Sequence, residues 1–303
     1  MTQHTDNSDT RLVTIASEAL SAKISCYGAE LQGLTTAGGD DLQWSGDPAV
    51  WHGRAPILFP VIGLLEGGQY RLDGKVYAMP KHGFTRHSTF EVISTTASSV
   101  QLRLSASEAT RAIYPFEFQL DIDFELSGST LTVRAVISNH GDVAMPASFG
   151  FHPALRWPLP FGRPRADHRI RFDRDEPAPV RRIDAGGFLT PEPRPSPIVG
   201  DTLTLRDELF VDDALIFDRL NSRRVRYGTQ DGPQLEVGFA DFPTLGVWTK
   251  PGAQFICIEP WHGFSDPVGF SGDIREKPGS FEVAPGGSKT LSMSISLVAS
   301  SAS

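Results

Sequence analysis

Short runs in which apolar and polar residues alternate follow one another along most of the chain, each closed by Gly, Ser, Asn or Asp. Segments 12–16, 21–26, 90–94, 100–104, 116–126 and 131–138 have this texture, and a period of two is the mark of strands with one buried face. The clearest pair is 119–126 and 131–137, separated by Ser127-Gly128-Ser129-Thr130. Alternation on both sides of a Gly-containing turn predicts a hairpin whose sheet is wet on one face. A last strand is expected over 290–298, after Ala284-Pro285-Gly286-Gly287. Helical signals are sparse: one or two turns over 107–113, closed by Tyr114-Pro115 because proline restricts the residue before it. The pattern predicts a mainly β chain of hairpin-linked sandwich strands.

Residues 156–200 break this texture with many prolines, arginines and aspartates and little periodicity. Long loops with short strands are expected there. Loops of this length in a compact domain are usually functional or poorly ordered. The segment therefore reads either as a wall or cover of a site or as a surface insertion.

Composition narrows the class. The 303 residues are 40% hydrophobic and 10% aromatic, enough for a large core, and all-β sandwiches reach roughly 200–250 residues as single domains. One sandwich domain over 11–299 is expected, with short tails at 1–10 and 300–303. A net charge of −8 without any basic block argues against nucleic acid and anionic membrane as partners. The polar, acidic start lacks the features of a signal peptide, and no apolar run nears the ~20 residues of a membrane helix. Two cysteines, Cys26 and Cys257, are too few for a disulfide framework or a Cys-rich zinc site. A cytoplasmic protein is expected.

The candidate chemistry is concentrated in a few short segments. Residues 254–258 read as a buried strand, and Pro260 cannot donate to a continuing ladder, so Glu259 is expected where that strand ends. Trp261 beside it offers a flat apolar face for a sugar ring. His82 in Lys81-His82-Gly83-Phe84-Thr85-Arg86 and His152 in Phe151-His152-Pro153 sit in similar surroundings. Upstream, Arg54 lies before the apolar run Ala55-Pro56-Ile57-Leu58-Phe59-Pro60. Taken singly, these are a surface glutamate and structural histidines. Together they make an acid–base set with a carboxylate, two imidazoles and a guanidinium drawn from separate strand ends.

In this order the segments resemble the aldose 1-epimerase (galactose mutarotase) superfamily, and most of all its divergent bacterial branch. The likeness runs from about Ile24 to about Leu297. It rests on Leu58-Phe59-Pro60, His82-Gly83-Phe84, Phe151-His152-Pro153 and Glu259-Pro260-Trp261, with Gly28-Ala29-Glu30-Leu31 resembling the family's first hairpin. The resemblance implies a large antiparallel β-sandwich of the galactose mutarotase type, an isomerase activity on a hexose, and no cofactor. It assigns Glu259 as base at the anomeric hydroxyl, His152 as acid at the ring oxygen, and His82 as a binding and polarising group. Arg54 would hold sugar hydroxyls or brace the carboxylate. Asp213 is the best match to the family's hydroxyl-binding aspartate, with Asp212 a near rival, since one residue of register reverses a side chain's face. Trp44, Trp51 and Trp261 are candidate stacking surfaces, or core residues.

Several alternatives stay open on the residues alone. Lys81 and Arg86 flank His82 and read either as solvated charges at a strand end or as a phosphate site, because guanidinium binds phosphate oxygens bidentately; on the second reading hexose-6-phosphate epimerisation competes with a free hexose. A sandwich that binds carbohydrate without catalysis needs no acid–base set. A metal site on the two histidines and the glutamate is disfavoured, because His82 and His152 lack the close His-x-His or His-x-Asp pair of small β-barrel oxygenases. A glycosidase needs two flanking carboxylates, and only Glu259 is well placed. The partner expected is a small sugar, free or phosphorylated, and the protein a monomer or homodimer.

Overall fold

The computed structural model describes residues 11–299, so the tails expected at 1–10 and 300–303 lie outside the described residues. Strands dominate. The expected hairpin forms from Phe118–Ser127 and Thr130–Asn139, paired antiparallel with Leu126 opposite Leu131 and Ser127 opposite Thr130. Gly128 turns the chain at φ 55, a conformation glycine adopts without a Cβ penalty.

These two strands sit inside a nine-stranded sheet that runs from Thr202–Thr204 at one edge to Glu91–Thr95 at the other. The C-terminal strand Ser288–Val298 pairs with Thr130–Asn139 near its middle. Along Thr130–Asn139, Leu131, Val133, Ala135 and Ile137 are buried while Arg134 turns outward to Asp123, 2.7 Å away. That is the period-two pattern realised: one face packs, and the other carries cross-strand ion pairs such as Arg103–Asp121 at 2.6 Å.

A six-stranded sheet lies against this core. Its strands run Leu215–Phe217, Thr244–Trp248, Phe255–His262, Phe149–Phe151 and Ile57–Leu58, with Ala154–Arg156 also pairing to Phe255–His262. Ile256 and Ile258 join the large apolar cluster that also holds Leu120, Ile122, Val133 and Ile295 from the nine-stranded sheet. Each fully buried side chain of this size contributes roughly 1.5–3 kcal/mol. On the opposite face of the same strand, Phe255 and Cys257 join one smaller cluster and Trp261 another. Glu259 lies between them on that second face, because residues two apart share a side of a strand.

The first part of the chain makes a separate three-stranded sheet, Leu12–Ala16, Leu20–Ser25 and Glu30–Thr36. The one short α-helix among the described residues, Glu108–Ile113, starts where expected: the Ser107 hydroxyl accepts from the Thr110 amide and the Thr110 hydroxyl accepts from the Ser107 amide. No helix among the described residues is long and apolar enough to cross a membrane.

The strand expected to stop before Pro260 instead continues to His262. Its neighbour on one side changes at this point. Ala154–Arg156 covers Phe255 to Cys257, and Phe149–Phe151 covers Trp261 and His262. Pro260 thus falls in the interval between two partners, where its missing N–H removes no ladder bond on that side, while Leu245 stands opposite on the other.

Candidate active site

The two registers on that interrupted side are the same, Gly150 opposite Trp261 and Ala154 opposite Cys257. The two-residue break between the strands is His152-Pro153, so His152 falls opposite Glu259. His152 Nε2 lies 3.1 Å from Glu259 Oε2, although without the alignment that a hydrogen bond requires. Both side chains are buried, Glu259 at 1% exposure and His152 at 8%.

Burial, reinforced by the negative charge of Asp213, pushes the Glu259 carboxyl well above its ordinary value. Burial likewise draws the His152 imidazole down to about 3, helped by the positive charges of Arg86 and Lys81. Both shifts have one physical origin: water no longer stabilises the charged forms. The pair therefore favours its uncharged state, with its one proton on the carboxyl.

A cleft of about 790 Å³, counting its open mouth, reaches this pair. His82, Lys81, Arg86, Asp213, Trp51, Trp248, Trp261 and Ser265 line it together with His152 and Glu259.

His82 is held in a left-handed backbone conformation, φ 66, followed by Gly83 at φ 76. A Cβ on Gly83 would lie 2.0 Å from the Phe59 carbonyl oxygen, so only glycine fits where these segments touch. The His82 amide donates to the Gly63 carbonyl at 2.9 Å, and the Gly63 amide donates to His82 Nδ1 at 3.0 Å. An accepting Nδ1 places the proton of the neutral ring on Nε2. Burial and the neighbouring His152 keep His82 well below its ordinary value and hence neutral.

Asp213 also has positive φ, 61, and its carboxylate accepts from the Ala214 amide at 2.7 Å. Non-glycine residues in this region cost of order 1–3 kcal/mol and persist only where the surroundings hold them. Here Arg182 does so. Its buried guanidinium donates to the carbonyls of Leu209, Asp213 and Ala214. Asp212 instead pairs with Arg194 on the surface, 2.7 Å away. The backbone turn, unreadable from alternation, separates the two aspartates.

Two expected residues are not at the cleft. Arg54 Nη1 donates to the Gln32 carbonyl at 2.7 Å, and its backbone amide donates to Glu30 Oε1 at 2.8 Å. The first hairpin thus draws the side chain away, and Arg86 and Lys81 supply the cationic wall in its place. Trp44, 8% exposed, donates through Nε1 to the Trp51 carbonyl and packs 5.2 Å from the Phe255 ring; it supports the wall from behind. Trp51 itself lines the cleft and stacks on His152 at 5.1 Å between ring centroids.

Trp248 lines the cleft without having been singled out in the sequence. Nothing in its local pattern marks it, since its place follows from the pairing of Thr244–Trp248 with Phe255–His262. The same is true of the two glycines beside Trp261. A Cβ on Gly150 would come 2.7 Å from Trp261 Cδ1, and one on Gly246 2.8 Å from Trp261 Cζ2, so the indole lies across both neighbouring backbones. The aperiodic segment 156–200 contributes Ile183 and Gly187 to the lining.

The family model described as "Aldose 1-epimerase" matches residues 11–281. The chain is 29% identical over 284 residues to the chromosomal protein LacX of Lactococcus lactis subsp. lactis, covering 90% of this chain and 95% of that one. Among solved structures it is similar to a galactose mutarotase related enzyme from Lactobacillus acidophilus, with 28% identity, TM-score 0.88 and coverage of 96% and 98% of the two chains. A galactose mutarotase-like protein from Lactobacillus casei is 28% identical with TM-score 0.86, over 95% of this chain and all of the other.

Proposed function

The chain belongs to the aldose 1-epimerase family, and on that ground we propose that it interconverts the α and β anomers of a hexose by reversible ring opening. The observation that carries the reading is the buried His152–Glu259 pair, 3.1 Å apart at the cleft.

In this reaction Glu259, as carboxylate, takes the proton of the anomeric hydroxyl. The C1–O5 bond breaks as His152, as imidazolium, gives a proton to the ring oxygen, and the aldehyde forms. Rotation about C1–C2 and the reverse transfers close the ring as the other anomer. Net proton count is unchanged, so the pair needs one shared proton and no cofactor. Burial favours the uncharged arrangement of that proton; sugar hydroxyls donating to Glu259 favour the carboxylate and move the proton to His152. A positioned acid–base pair of this kind contributes roughly 10²–10⁴ in rate.

The Nε2–H of His82 is a donor to an oxygen near the anomeric centre, and Asp213 an acceptor for sugar hydroxyls. Trp51, Trp248 and Trp261 offer faces for the apolar side of the ring. Arg86 favours a second reading of the substrate. It is half-buried, makes no ion pair among the described residues, and lines the cleft with Lys81. A hexose 6-phosphate would pair with it.

The test is polarimetry on freshly dissolved α-D-glucose and α-D-galactose, with exchange NMR for the 6-phosphates. Acceleration that disappears in Glu259→Gln and His152→Ala supports the mechanism. A sugar that binds without being accelerated transfers the site to a carbohydrate-binding role.

A further inference from the structure

The close-spaced pair of ligand types that is missing beside His82 and His152 exists on the strand Phe255–His262. Cys257 and Glu259 are two residues apart on one face of that strand. Facing them across the interrupted register, His152 completes a group of three. One ligand atom from each, the Cys257 sulfur, a Glu259 oxygen and a His152 ring nitrogen, lie within 4.8 Å of one another, and all three residues are buried.

Glu259 Oε2 has no hydrogen-bond partner among the described residues although it is almost fully enclosed. A buried carboxylate oxygen without a partner is costly and marks a position that a ligand completes. A tetrahedral zinc ion with bonds of about 2.0–2.2 Å to nitrogen and oxygen holds those atoms roughly 3.4 Å apart. The observed His152–Glu259 separation is 3.1 Å. The three ligand atoms, all within 4.8 Å of one another, draw together by up to about 1 Å to meet on one such ion. Three protein ligands with a fourth position toward a cleft is the open arrangement of zinc sites that accept an exogenous group. The mixture of thiolate, imidazole and carboxylate suits a borderline ion, not Mg²⁺ or Ca²⁺.

We propose that His152, Cys257 and Glu259 form a binding site for Zn²⁺ that occupies the acid–base pair and excludes the sugar. The ion enters through the sugar cleft, which His152 and Glu259 line, and it replaces the thiol proton as it binds. Zinc is then an inhibitor in competition with substrate. The inhibitory half of this statement rests on the acid–base reading given above; the binding half does not.

The experiment titrates the full-length protein, stripped with EDTA, with Zn²⁺ by calorimetry and with Co²⁺ by absorption spectroscopy. Mutarotation is followed in parallel. One equivalent of metal is expected, with a thiolate-to-cobalt charge-transfer band and loss of activity that EDTA restores. In Cys257→Ala the band is expected to vanish and the zinc concentration for half-inhibition to rise by at least about 100-fold, more than the loss of an outer-sphere partner costs. Each variant's EDTA-treated rate serves as its own reference. Glu259→Gln keeps the size of the side chain and covers the case in which Cys257→Ala fails to fold: it too should lose the metal. Cys26→Ser should retain the band. Absence of the band in the wild type, or zinc inhibition unchanged in Cys257→Ala, overturns the site in favour of surface histidines. A band in a protein that accelerates no sugar supports the metal site and removes the acid–base reading instead.

Discussion

Replacing Glu259 by Gln should remove activity and leave the protein at least as stable as before. The carboxyl is 1% exposed and 3.1 Å from His152, so the amide fits without a cavity while the proposed base is gone. A lost general base costs roughly 10²–10⁴ in rate, or about 3–5 kcal/mol of transition-state stabilisation at 1.36 kcal/mol per tenfold. Stability moves the other way. The folded carboxyl ionises well above the ordinary 4.5, whereas the unfolded one ionises near it. Below that pH both states are protonated and the group makes no difference. Above it the unfolded chain alone releases the proton, so wild type loses stability as pH rises. The Tm difference, variant minus wild type, should therefore be near zero at pH 4 and grow positive toward pH 8. Polarimetry and calorimetric melting across that range read both effects. A variant that retains activity within tenfold would show that this carboxyl is not a base, and one that melts below wild type at pH 8 would show that it is not a buried cost.

His152 carries the opposite pH signature: its folded value near 3 lies below the ordinary 6.5, so its contribution is complete above 6.5 and is lost as pH falls toward 3. His152→Asn should flatten the acid limb of the wild-type stability curve, and the Glu259→Gln/His152→Asn double variant should be hardly less active than either single, as for groups that act as a unit. Arg182→Met should raise KM more than it lowers kcat, because the buried carbonyls of Leu209, Asp213 and Ala214 lose a charged donor, each such bond being worth about 1.5–3 kcal/mol; an unchanged KM in steady-state kinetics would refute the role assigned to it. Gly246→Ala places a methyl 2.8 Å from the Trp261 ring, so overpacking of about 1–3 kcal/mol should appear in Tm and a displaced indole in intrinsic fluorescence. Arg86→Gln distinguishes the substrates: kcat/KM for a hexose 6-phosphate should fall by about 10- to 100-fold, the size of one charged hydrogen bond, while that for free hexose changes little; equal effects on both would remove the phosphate reading.

Much of this architecture was legible along the chain because a strand half-buried in a sandwich must alternate. The hairpin of Phe118–Ser127 and Thr130–Asn139 and the short helix after Ser107 follow from local rules alone. The candidate chemistry came by resemblance instead: Glu259, His152 and His82 stand in short segments whose order is similar to the family's. What a linear pattern cannot carry is which strand lies beside which. Pro260 read as an end until the change of partner strand beneath it removed the need for its N–H. Arg54 read as the cationic wall until the first hairpin claimed its guanidinium, leaving that place to Arg86. Trp248 and the glycines flanking Trp261 acquire meaning only from cross-strand register. Asp213 is separated from Asp212 by a backbone turn that Arg182, 31 residues away, holds in place. The residue pattern thus determined the fold class, since that depends on local periodicity, and it named the candidate acid–base groups. Tertiary structure decided the facing of His152 and Glu259, their burial and the presence of Cys257 behind them, because those depend on pairings between distant segments.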